Sequence, residues 1–176
     1  MTERTWHLAQ LNVGRTLAPV ESPAIEGFRA QLAPINALAD ADPGLVWRLQ
    51  TEAGNATDIR PTEDDLFLIN LSVWRSIEAL RAFTYTSAHV QVLRQRRSWF
   101  EQLAEAHLVL WWVPAGHIPS VEEALERLDR LRRDGPTPAA FTRRSRRSRR
   151  RRTIRVTRSS TPSSAGRSSP RPDPLG

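Results

Sequence analysis

The chain changes character at Thr142, and that change decides which residues can form a core. Residues 1–142 carry 14 Arg against 18 Asp and Glu, a net charge of −4, together with all six Trp. Residues 143–176 carry 12 Arg against a single Asp, a net charge of +11, and no aromatic residue. The formal charge of +7 therefore describes the tail and says nothing about the domain before it. A segment so poor in apolar residues cannot bury enough surface to offset its ordering entropy, so 143–176 is expected to be disordered. Folding falls to the first 142 residues, enough for one domain with its own core.

Composition removes several function classes. There is no Cys, which excludes a disulfide framework, thiolate metal sites and thiol catalysis. The start, MTERTWHLAQLNV, has an acid where a secretory signal needs bases. The longest apolar run, Leu108 to Val113, is far short of the roughly 20 residues that span a bilayer. A soluble cytoplasmic protein is the expectation. Every basic residue is Arg and none is Lys, which fits a GC-rich coding sequence.

The periodicity then orders the elements. WHLAQLNV (6–13), ending at Gly14, reads as a strand. Ser22-Pro23 starts a helix whose residues Ile25, Phe28, Leu32, Ile35 and Leu38 form one apolar stripe, with a kink expected at Pro34. Asp42-Pro43-Gly44 leads into a second strand, LVWRLQ, and the polar stretch 51–65 reads as a hairpin loop. LFLINLSV (66–73) is the third strand. Ser76 caps a helix beginning IEALRAF, and a break near Thr84–Thr86 precedes a longer helix expected over 87–104. HLVLWWV (107–113) is the fourth strand. Ser120 and Glu123 form a capping box for a last helix ending at Gly135-Pro136.

This order, β-α-β-β-α-β plus a terminal helix, is the α+β ferredoxin-like pattern: an antiparallel sheet with helices on one face and a C-terminal helix added. Aromatic residues such as Trp6, Trp47 and Trp111 or Trp112 fall on the other face. A homodimer closing an α/β barrel is the expected second layer.

Several stretches carry a family resemblance. SVWRSIEALRAFTYTSAH, RQRRSWFEQL, LVLWWVPAGHIPSVEEALERL and GPTPAAFT, with LAQLN, PGLVWRLQ and NATDIR upstream, resemble the DUF3291 family of the dimeric α/β-barrel superfamily over roughly residues 5–142. The resemblance implies paired ferredoxin-like units with a pocket between sheet and helices. Relatives in that superfamily include cofactor-free monooxygenases of antibiotic biosynthesis, haem-degrading monooxygenases and chlorite dismutase-like haem proteins. Carried over from the first group, Asn70 would be an oxyanion donor, Trp74 a wall of the pocket, and Tyr85 or Arg96 its polar partners. Asn12 occupies the place of a functional Asn in haem-degrading relatives. The Trp and axial His of those relatives correspond here to Phe83 and Leu93, which disfavours haem degradation in that style.

The residues themselves add candidates. His89, Leu93, Arg96, Phe100 and Leu103 repeat at helical spacing, as do Tyr85, His89, Val92, Arg96 and Trp99. Both stripes share His89 and Arg96, a proton carrier and a fixed cation at the edge of an apolar face. His89, Tyr85 and Arg96 are therefore the catalytic candidates, and Asn12, Asn70, Trp74 and Trp99 the substrate-binding ones. The competing reading is a structural network, with Arg96 paired to an acid such as Asp58, His89 bonded to Tyr85, and Trp74 simply core. No cofactor is predicted, a haem on His89 is left open, and no metal cluster follows from the His spacing.

Two function classes follow: a monooxygenase-like or isomerase-like enzyme for a small aromatic or apolar molecule, or a non-catalytic binding or scaffold dimer using the same cavity. The tail admits two readings. Its arginines would bind phosphate backbones non-specifically, which makes nucleic acid a partner if the tail is genuine. The reading favoured from composition is a frame-shifted stretch of GC-rich coding sequence.

Overall fold

In the computed structural model, residues 5–85, 90 and 94–143 are described. Four strands form one antiparallel sheet: β1 (Trp6–Arg15), β2 (Leu45–Arg48), β3 (Phe67–Trp74) and β4 (Leu108–Pro114), in the order β2-β3-β1-β4. The helices are α1 (Glu26–Asp40), α2 (Ile77–Thr84) and α3 (Val121–Asp134). Placing β1 and β3 side by side at the centre, with β4 and β2 outside, gives the ferredoxin-like topology that the element order implied.

The pleat sorts β1 into two rows. Ala9, Leu11 and Val13 face one side, with their partners Val73, Leu71 and Ile69 on β3 and Trp111 and Val109 on β4. This side packs on Ala124, Leu128 and Leu131 of α3, in a cluster completed by Val113 and Ala140. Leu8, Gln10 and Asn12 face the other side. There Leu8, Trp74 and Leu110 pack with Ala39 of α1 and with Leu80 and Phe83 of α2. The sheet is thus covered on both faces within one chain. The layer that the sequence reading assigned to a partner copy is supplied by α3.

α2 and α3 each start where a serine hydroxyl meets the first turn, whereas α1 continues from a 3-10 turn that Ser22 caps. Ser76 Oγ accepts from Ala79 N at 3.1 Å, and Ser120 Oγ from Glu123 N at 3.1 Å. The reciprocal half of the capping box is not made. Glu123 turns its carboxylate to Trp111 Nε1 (3.1 Å) and His117 Nε2 (2.7 Å) instead, tying α3 to β4. After Gly135 the chain returns to the outer edge of β4, where Phe141 exchanges both backbone hydrogen bonds with Leu110 (2.8 and 2.9 Å).

One expected element is shorter than its periodicity suggested. The helix expected over 87–104 ends in a 3-10 turn at Arg96–Ser98. Beyond it the backbone pairs with the end of β1: Leu17 N donates to Trp99 O and Glu101 N to Arg15 O. These bonds to a fixed strand replace further helical turns, so Phe100 and Leu103 do not continue the stripe of Arg96. The break expected at Thr84–Thr86 coincides with the end of α2, where Tyr85 is the C-cap.

Gly44, just ahead of β2, lies close against α2. A Cβ there would lie 2.5 Å from the Cβ of Ala79. Gly44→Ala is expected to destabilise by about 1–3 kcal/mol, because neither atom belongs to a flexible side chain. Urea unfolding would show it as a lowered midpoint; an unchanged midpoint would mean that α2 slides freely on β2.

Candidate functional site

A cavity of about 200 Å³ lies between α1 and the end of the sheet where β1 and β3 carry Asn12 and Asn70. These two are direct cross-strand partners, so the pleat presents both amides on the same face. The apolar stripe of α1, with Phe28, Leu32 and Ile35, forms the opposite wall. Arg96, Trp99 and Phe100 close one end.

Glycines let the aromatic end approach. A Cβ on Gly14 would meet Phe100 Cδ1 at 2.8 Å, and one on Gly27 would meet the Trp99 indole at 3.1 Å. Phe28 then stands edge-on to Phe100, with ring centroids 5.0 Å apart and planes at 87°, and 6.1 Å from Trp99. The other end is built by the loop after β2. Asn55 Oδ1 accepts from Thr57 N (3.0 Å), and the Gly54 carbonyl receives Asn36 Nδ2 (3.1 Å) and Arg48 Nη1 (2.9 Å).

Two arginines line the cavity in opposite electrostatic situations. Arg48 forms a two-pronged pair with Asp40 (2.7 and 2.8 Å), and this bonding holds the Asp40 carboxyl below the usual carboxylate range. Arg96 is half-buried and has no carboxylate partner among the described residues. Its Nη2 reaches the Val13 carbonyl at a long 3.3 Å, and its guanidinium lies 5.5 Å from the Phe100 ring centroid. Burial pushes its pKa down. Of the undescribed positions, 86–89 and 91–93 contain no Asp or Glu, and the terminal ones contain Glu3 and Asp173. Asn12 adds a complementary imbalance: its Oδ1 is buried with no hydrogen-bond donor among the described residues.

A family profile described as "Domain of unknown function (DUF3291)" matches residues 7–156. The chain belongs to the DUF3291 family. The match runs past Thr142 into the arginine run, further than the resemblance read from the sequence. No curated protein matches this DUF3291 chain. Among solved structures, PA3566 from Pseudomonas aeruginosa is 13% identical, with a TM-score of 0.42, over 66% of this chain and 99% of its own. SnoaB, a cofactor-independent oxygenase from Streptomyces nogalater, is 14% identical, with a TM-score of 0.41, over 66% and 98%. A conserved protein from Methanosarcina mazei Go1 is 7% identical, with a TM-score of 0.45, over 62% and 92%.

In the DUF3291 chain, four of the seven candidates read from sequence line one cavity: Asn12, Asn70, Arg96 and Trp99. Trp74 does not. It is 2% exposed, donates Nε1–H to Ser72 Oγ (2.9 Å), and stacks on Phe83 in the cluster beneath α2. Tyr85 is 66% exposed at the end of α2, with Arg81 6.0 Å from its ring. His89 lies outside the described residues. Arg96 is not paired with Asp58; its guanidinium goes to Val13. Sequence reasoning did not assign Phe28, Arg48 or Phe100 to the site. Phe28 carried only a core signal in its stripe, and Arg48 sat in a strand whose facing helix was not known. The signal for Phe100 was Gly14, read as a strand end rather than as room for a ring.

Among the described residues, the cavity lining includes no carboxylate, imidazole or phenol. It can bind and orient, and it can stabilise negative charge through Arg96 and the two amides. A proton acceptor would have to come from elsewhere. No helix of the described residues is long and apolar enough to cross a membrane, and no cluster of three potential metal-ligating side chains occurs among them.

Proposed function

We propose that the chain binds a small, planar, largely apolar molecule in the cavity between α1 and the sheet. The single observation that carries this reading is the lining itself: aromatic and aliphatic walls, amides from Asn12 and Asn70, and, among the described residues, no carboxylate, imidazole or phenol. Pockets of this composition, mostly apolar with a few placed polar groups, are the usual form of a ligand site. A volume near 200 Å³ suits a molecule of one or two rings, since an engineered apolar void of about 150 Å³ already takes benzene.

A cofactor-free oxygenase or isomerase is the second reading. Arg96 and the paired asparagines favour it, because they would steady an enolate or phenolate formed at this point. It requires a base, and His89 is the residue whose sequence position would supply one. The resemblance also leads us to propose a homodimer, for which light scattering should return twice the mass of one chain.

Uncharged aromatics test the principal reading. Phenol, indole and 2-naphthol are expected to bind saturably and to perturb Trp99 fluorescence. Leu32→Trp, which fills the cavity from α1, should abolish that binding while the fold persists by circular dichroism. Binding that survives Leu32→Trp, or none by any of the three, would overturn the proposal.

A further inference from the structure

From the unbalanced polar groups of the same cavity we infer that its ligand is an aromatic or similarly planar monoanion that also carries a hydrogen-bond donor. This inference rests on the cavity being a ligand site and adds the chemistry of the occupant. Arg48 shows what a settled arginine looks like here: two bonds to Asp40 and one to the Gly54 carbonyl. Among the described residues, Arg96 has one long bond to a neutral carbonyl. A guanidinium offers five donors in a planar fork suited to a carboxylate or another anionic oxygen pair. Half-burying such a cation is unfavourable unless it is paired, and no acid of the chain reaches it among the described residues. His107, whose pKa is lowered by burial and then by the charge of Arg96, supplies no negative charge. The missing partner is an anion, and the space beside Arg96 is where a ligand sits.

Asn12 sets the second requirement. Its Oδ1 is buried without a donor among the described residues, and an amide oxygen accepts but does not donate. A carboxylate alone would leave it unsatisfied, so a hydroxyl or N–H on the same molecule completes the site. Trp99, Phe100 and Phe28 supply faces and edges for a ring between the two polar ends. Because Asn12 and Arg96 are both fixed by β1, through the strand itself and through the Val13 carbonyl, their spacing selects among isomers of such a ligand.

The test uses benzoate, phenol and the three hydroxybenzoate isomers, titrated against the full chain by calorimetry at constant ionic strength. One hydroxybenzoate isomer is expected to bind about tenfold or more tightly than both benzoate and phenol. In Arg96→Gln the preference for benzoate over phenol should disappear, and in Arg96→Lys, which keeps the charge, it should persist. In Asn12→Leu the preference for the hydroxybenzoate over benzoate should fall towards one. Each comparison is between ligands within one folded variant, so altered stability does not mimic it. Phenol binding as tightly as every acid, or an acid preference that survives Arg96→Gln, would overturn the anion inference while leaving the cavity as a site for neutral molecules. A hydroxyl preference that survives Asn12→Leu would overturn the donor requirement. Failure of both the acids and the uncharged aromatics would remove the ligand site altogether.

Discussion

Trp111→Ala is expected to destabilise the domain by about 3–5 kcal/mol, the range of a large aromatic deleted from a core. Trp111 is fully buried between β4 and α3. Its indole also donates to Glu123, the residue that carries the first turn of α3 to the sheet. Truncation therefore opens a cavity, removes one of the partners of the Glu123 carboxylate, and loosens the only described helix on that face. Two-state urea unfolding should show a lowered midpoint with little change in slope, and Trp111→Phe should recover most of the packing but not the Nε1–H bond. A midpoint within experimental error of the parent would mean that α3 does not contribute to folding of the sheet.

Trp74→Ala should be nearly as costly, again about 3–5 kcal/mol, and it separates two roles that the sequence left together. If Trp74 were a wall of the ligand site, its loss would weaken binding. Its position beneath α2, with Ser72 and Phe83, makes stability the property that falls. Affinity for phenol or a hydroxybenzoate, measured well below the midpoint of unfolding, is expected to stay within about twofold of the parent, since remote substitutions usually act independently. Trp99→Ala is the contrasting case, because Trp99 forms part of the cavity wall. A binding loss in Trp74→Ala equal to that in Trp99→Ala would place the ligand under α2.

The residues that the sequence made legible are those whose signal is local. Alternation along 6–13 and 66–73 identified the central strands, and Ser76 and Ser120 marked their helices as soon as a turn of apolar residues followed. Asn12 and Asn70 could be named as candidates, but not as neighbours, because cross-strand register is set by distant pairing. The helical stripe through Arg96 broke down for the same reason. Its spacing is compatible with continued helix, and only the backbone bonds from residues 99–101 to residues 15–17 end it. The loose end of Arg96 is likewise invisible in sequence. Residues 1–142 hold 18 acids, and only the fold shows that Asp40 is taken by Arg48 and that Asp64 and Glu101 are taken by Arg15.

The return of Phe141 to Leu110 has a consequence for how the molecule behaves among its own copies. A sheet's outermost strand exposes backbone donors and acceptors to any extended segment that drifts past, and such contact is a common route to aggregation. The stretch around Phe141 occupies those groups at Leu110 on β4, and Phe141 itself is buried beside Trp112. Residues just ahead of the arginine run thus act as a selvage at the middle of β4, covering at Leu110 a border that would otherwise be sticky.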